Sequence, residues 1–146
     1  RQRNPDARLS VVGHSYGTVV IDKATTSPES PLEADEIHLM GSPGMTARTA
    51  GDMNLNSLDG HAEVHVHQAD GDPINVIADL GLVHGNDPAD PGFGADSVNG
   101  RSPDADGGLP GRLWGSLTDA WLIGDRGTGA HSDYRGDEKV LESLRR

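Results

Sequence analysis

Apolar residues in this chain come in short runs divided by stretches rich in Gly, Pro, Asp and Ser, and the period of each run points to the element it forms. Arg8 to Val12 reads as a buried strand. Ser15 to about Thr25 predicts a helix with Val19, Val20 and Ala24 placed to pack on a sheet, ended by the Ser27-Pro28 and Ser30-Pro31 pairs. Ile37 to Met40, after the acidic run Glu33-Ala34-Asp35-Glu36, predicts a second strand that enters the loop Gly41-Ser42-Pro43-Gly44. Ala62 to Ala69, with β-branched Val64 and Val66, predicts a third, stopped by Asp70-Gly71-Asp72-Pro73. Ile74 to Val83 is a short helical candidate with Ile74, Ile77, Ala78 and Leu82 on one side. Residues 84–111 are turn-rich and open an excursion expected to run from 84 to 123 over one end of the sheet. Apolar density returns at Leu113 to Ile123, where the period suits a last strand around Trp121 to Ile123 or a helix. Asp137 then caps a terminal helix whose buried stripe is Val140, Leu141 and Leu144.

This strand-helix-strand-strand spacing predicts an α/β fold with a parallel sheet, whose sites gather beyond the carboxyl ends of the strands. Length allows one domain of 146 residues, but 34% hydrophobic and 3% aromatic content makes its core thin for an α/β enzyme. A net charge of -11, without Lys/Arg clusters interleaved with aromatics, gives no surface for a phosphate backbone, so a nucleic-acid partner is not expected. No apolar run approaches the ~20 residues of a membrane span, and the lack of Cys leaves the compartment open.

The most informative local pattern is Gly13-His14-Ser15-Tyr16-Gly17, which follows an apolar run and leads into a helix. Composition alone yields roughly 0.2 matches to G-x-S-x-G in such a chain, so the strand-turn-helix setting has to carry the assignment. In that setting the strand turns abruptly, the serine is held in a strained conformation, and residues two positions away must be nearly side-chain-free, as Gly13 and Gly17 are. Ser15 is the candidate nucleophile, and the backbone N–H of Tyr16 at the helix start is a candidate oxyanion donor. Such an elbow normally crowns a central strand with several strands before it. With only 14 residues preceding Ser15, the N-terminal part of the domain, including a second oxyanion donor, is expected to be missing.

A serine hydroxyl needs a base to take its proton and a carboxylate to orient that base, in the chain order nucleophile, acid, base. Asp70 and Asp72 both sit where the third strand ends, and Asp72 is preferred because Pro73 stops the strand and fixes the loop. Either Asp could instead only cap the turn through its own backbone. Of seven histidines, His131 alone combines a loop setting with a position shortly before the terminal helix, and is the expected base. His84 follows Asp72 too closely to leave room for another sheet element. It is expected on the substrate side, and His14 beneath the turn at the edge of the same site. This relay uses no cofactor.

Taken together, "VVGHSYG", "GSPG", "GDPI", "HGNDPADPGFGA" and "HSDY" resemble an α/β-hydrolase branch of unassigned function that is abundant in actinobacteria. The resemblance covers most of the chain and implies the α/β-hydrolase fold, here its C-terminal part with flanking helices. It also implies Ser15 as nucleophile, Asp72 as acid and His131 as base, but gives no substrate; a small ester or acyl compound is expected because an alkoxide leaves more easily than an amine. Two other readings compete. His65 and His67 share one side of a strand, with His61 nearby, and could bind zinc with Asp70 or Asp72; a half-exposed strand with a polar outer row explains the same pattern without a metal. A catalytically inert binding scaffold is the second alternative.

Overall fold

The computed structural model describes residues 3–69, 72, 74, 85–100, 134 and 136–145. Its elements are β1 (Ser10–His14), α1 (Tyr16–Thr25), β2 (Leu32–Glu33), β3 (Glu36–Met40), β4 (Leu55–Asn56), β5 (Glu63–Ala69), β6 (Asp96–Gly100) and α2 (Glu138–Ser143). Strands β1, β3, β5 and β6 lie side by side in that order, all parallel, while β2 and β4 form a separate parallel pair. The expected α/β architecture with a parallel sheet is therefore present. Parallel neighbours place every strand's carboxyl end on one side, so the turns after β1, β3 and β5 come together there.

The register sets the two faces of the sheet. Ile37 pairs with Val64 and Leu39 with Val66, so these four buried side chains line one face, each contributing about 1.5 to 3 kcal/mol of apolar burial. Ile21 of α1, Met45, Met53 and Phe93 close over them. The alternate residues His38, Met40, His65, His67 and Ala69 face the other way, where Tyr134 and Val140 of α2 cover Met40 and Ala69.

The elements differ from the sequence reading in four places. Strand β1 runs two residues further than Arg8 to Val12, because its pairing with Glu36–Met40 continues up to His14. Strand β6 lies inside the stretch expected to be turn-rich; with Val98 its one apolar side chain, it has little intrinsic strand signal and forms by pairing with β5. Helix α1 buries Thr18, Ile21, Asp22 and Thr25 along with Val19, whereas Val20 and Ala24 are exposed. Helix α2 is capped by Asp137, whose Oδ1 accepts from the Lys139 and Val140 N–H groups, but of its expected stripe only Val140 is buried. The expected elements at 75–83 and 113–123 lie outside the described residues, apart from the helical residue Ile74.

Hydrogen bonding explains the buried face of α1. The Asp22 carboxylate accepts from Thr46 N (3.0 Å), the Thr46 hydroxyl and Ala47 N (3.0 Å), which fixes the chain leaving β3 against the helix. Asn86 then pairs with Met45 in both directions, at 2.7 and 2.8 Å. Gly85 makes that approach possible. Its φ is +100°, and a Cβ there would stand 2.6 Å from the Met45 carbonyl oxygen. Gly85→Ala should therefore cost about 2 to 4 kcal/mol, since both the backbone conformation and a backbone contact resist it. A urea-unfolding midpoint equal to that of the parent would contradict this packing.

Candidate active site

Ser15 stands where β1 becomes α1, with φ 54° and ψ -123°, and is the one described non-glycine residue with positive φ. Such a conformation costs a non-glycine residue on the order of 1 to 3 kcal/mol and persists only when its surroundings enforce it. Three bonds supply the enforcement. The Ser15 N–H donates to the Met40 carbonyl at the end of β3 (2.8 Å), and the Ser15 carbonyl accepts from Thr18 N (3.0 Å) and Thr18 Oγ1 (2.8 Å). With its proton on the Ser15 carbonyl, the buried Thr18 hydroxyl oxygen accepts from the Ser42 hydroxyl at 3.0 Å, tying the turn to the Gly41–Gly44 loop. Serine at a helix start usually caps the first turn with its hydroxyl. Ser15 makes no such bond.

The two elbow glycines have different reasons. A Cβ at Gly13 would meet Ile21 Cδ1 at 2.6 Å and the Gly17 backbone at 3.0 Å, so the crossing of β1 and α1 requires its absence. A Cβ at Gly17 would meet nothing within 4 Å. The expectation that both glycines relieve crowding holds only for Gly13.

Asp72, three residues beyond the end of β5, is almost fully buried. Its Oδ2 accepts from the Tyr134 hydroxyl at 2.7 Å and its Oδ1 from Ile74 N at 2.9 Å. Part of the turn-capping reading is thus realised, yet the Tyr134 bond reaches 62 residues along the chain and is no local turn. The Tyr134 oxygen accepts in turn from Ala69 N at 3.0 Å. Burial, and next the neighbouring Asp72 charge, push the Tyr134 phenol far above its ordinary value, so it remains a donor at any working pH. Sequence reading missed this residue as a participant, although it closes the "HSDY" motif.

His14 is exposed, and its ring leans on Tyr134 with centroids 5.6 Å apart and planes at 58°. It does not pack beneath the turn, because β1 directs alternate side chains to the α2 face and Tyr134 fills that space. The Tyr16 side chain is exposed as well. His131, His84 and the fallback acid Asp70 lie outside the described residues.

The β5 histidines do not form a solvent-facing row. His67 is fully buried, His65 stacks on His38 at 4.9 Å, and His38 Nδ1 meets His67 Nε2 at 3.1 Å, one ring donating and the other accepting. Desolvation, then the neighbouring His38 and His65, lower the His67 pKa to about 4; desolvation and His65 lower that of His38 too. Among the described residues no group of three or more His, Cys, Asp or Glu is arranged to hold a metal ion. An open groove of about 910 Å³, lined by Arg8, Glu36, Glu63, His65, Asp96 and Lys139 among others, lies at the amino-terminal ends of the strands, away from Ser15.

A parallel α/β sheet whose strand turns through a strained serine into a helix is the scaffold of a hydrolase-class protein. A family model described as alpha/beta hydrolase matches residues 1–82 of the 146, and the chain belongs to this alpha/beta-hydrolase family, with a hydrolase-like function. No curated protein and no solved structure matches it. No helix among the described residues is long and apolar enough to cross a membrane.

Proposed function

We propose that this protein is a serine hydrolase that cleaves a small carboxylic ester through Ser15, Asp72 and His131. The observation that carries the reading is the strained Ser15 backbone at the carboxyl end of β1, with a hydroxyl that makes no capping bond. Asp72 supports it from the carboxyl end of β5, two strand positions away. Two spacings of ~4.8 Å separate those strands by about 10 Å, a gap that a serine, an imidazole and an aspartate side chain together fill. Chain connectivity adds His131. It lies outside the described residues and precedes by three positions Tyr134, whose hydroxyl is bonded to Asp72.

In this mechanism Ser15 Oγ attacks the ester carbonyl while His131 takes its proton, and Asp72 holds the imidazole in the required tautomer and stabilises the imidazolium. The Tyr16 N–H donates to the oxyanion that develops. His131 then returns the proton to the departing alkoxide, leaving an acyl-Ser15 that water hydrolyses with His131 again acting as base. An ester is the favoured substrate because an alkoxide leaves more readily than an amine.

A nitrophenyl acyl ester and a fluorophosphonate test the reading together. Turnover insensitive to a chelator, with the phosphonate on Ser15 alone of the 11 serines, is the expected result. His131→Ala should fold normally and lose acylation by about 10⁴-fold or more, while His84→Ala should raise KM more than it lowers kcat. If His84→Ala abolishes labelling and His131→Ala spares it, the base has been assigned wrongly. Absence of both turnover and labelling would make the domain a binding scaffold, and loss of turnover on chelation would indicate a metal.

A further inference from the structure

Tyr134 touches two of the segments that the proposed triad needs and is near the third in the chain. Its ring packs against His14, the neighbour of Ser15; its hydroxyl donates to Asp72 Oδ2 at 2.7 Å; and it follows His131 by three residues. The same oxygen accepts from Ala69 N at 3.0 Å, and Asp72 N donates to the Ala69 carbonyl at 3.1 Å, so the phenol, the acid and the last residue of β5 close a hydrogen-bonded ring. Met40, Ala69 and Val140 pack with Tyr134 in one buried cluster, which leaves the side chain 2% exposed. Tyr134 and Ile74 donate to the Asp72 carboxylate, one to each oxygen.

We propose that Tyr134 is the positioning residue of the acid: it fixes the rotation of the Asp72 carboxylate and, through its hydrogen bond, sets how strongly that carboxylate holds the imidazolium of the proposed base. The proposal rests on the triad assignment above. A donor on Asp72 offsets part of its negative charge, so the bond keeps the base from being over-stabilised in its protonated form. Because the same hydroxyl is bonded both to Asp72 and to Ala69 at the end of β5, it fixes the acid against the sheet.

The test is the rate at which a fluorophosphonate labels Ser15, followed against pH, in the parent protein and in Tyr134→Phe. Phe keeps the ring packing on His14 and Val140 and removes only the hydroxyl. The labelling rate should fall roughly tenfold, the kinetic equivalent of losing one hydrogen bond to a charged group, with the acid limb of its pH profile moved upward by about half a pH unit or more. A fluorinated tyrosine at position 134, a stronger donor, should move that limb downward. It also serves if the Phe variant fails to fold. Opposite shifts from the two variants are not available to a purely structural side chain, which would change the melting temperature alone. The proposal is overturned if rate and limb position stay within twofold and about 0.2 pH units of the parent in the folded variants. Parent protein that takes up no phosphonate at Ser15 overturns the triad assignment itself and Tyr134 with it, an outcome distinct from normal labelling that is indifferent to Tyr134.

Discussion

Replacing Ser15 by Ala is expected to abolish phosphonate labelling and to lower ester turnover by about 10⁴ to 10⁶-fold, because nucleophile, base and acid act as a unit and none substitutes for another. Stability separates this substitution from its neighbour. Alanine inherits the φ of 54° and the strain that goes with it, so Ser15→Ala should unfold at the parent's urea concentration. Glycine adopts positive φ without a Cβ penalty, so Ser15→Gly should be equally inactive yet more stable by about 1 kcal/mol, after allowing for glycine's larger loss of chain entropy. A measurable gain in the Gly variant alone would show that the fold holds the serine against its own conformational preference. If Ser15→Ala retained turnover, the elbow would not be the reacting site.

The second large effect is a loss of stability between pH 6.5 and about 4. The fold holds His67 neutral, with a pKa of about 4 against an ordinary value of 6.5, chiefly through desolvation. In that window the unfolded chain binds a proton that the folded chain does not, so stability rises with pH. The contribution is fully present above 6.5 and is lost as the pH falls toward 4, where the folded state also accepts the proton. The shift corresponds to about 3 kcal/mol, and His38, lowered in the same direction, steepens the slope. Asp137 opposes the effect at His67 without cancelling it. Urea unfolding at pH 7.0 and pH 4.5 should show the difference, and His67→Gln, neutral at both, should flatten it. Equal midpoints in the parent at the two pH values would mean that the stacked histidines are hydrated.

What could be read from the chain, and what could not, follows the reach of each interaction. Strands β3 and β5 were legible because Ile37, Leu39, Val64 and Val66 alternate with polar residues and the turns after them carry Gly and Pro. Strand β6 was not, since Asp96, Ser97, Asn99 and Gly100 are poor strand formers and only the exposed edge of β5 makes them one. On α1 an apolar face through Val20 and Ala24 was the reasonable expectation, but Asp22 meets three donors from residues 46 and 47 and turns its own side inward. His65 and His67 read as a polar outer row because nothing local announces that the ring of His38 and helix α2 will pack against them.

By itself the sequence determined the parallel strands β1, β3 and β5 with the helix after β1, and the place of the strained Ser15 between them, because an apolar strand, the serine and a glycine at the crossing all fall within a few consecutive residues. Tertiary structure alone decided that Tyr134 is bonded to Asp72, 62 positions earlier, and that His38 and His67 share a proton across 29 positions. Neither pair carries a spacing signal. Each forms because burial removes water as a competing partner, so polar groups brought together by the packing of the sheet and α2 must satisfy one another.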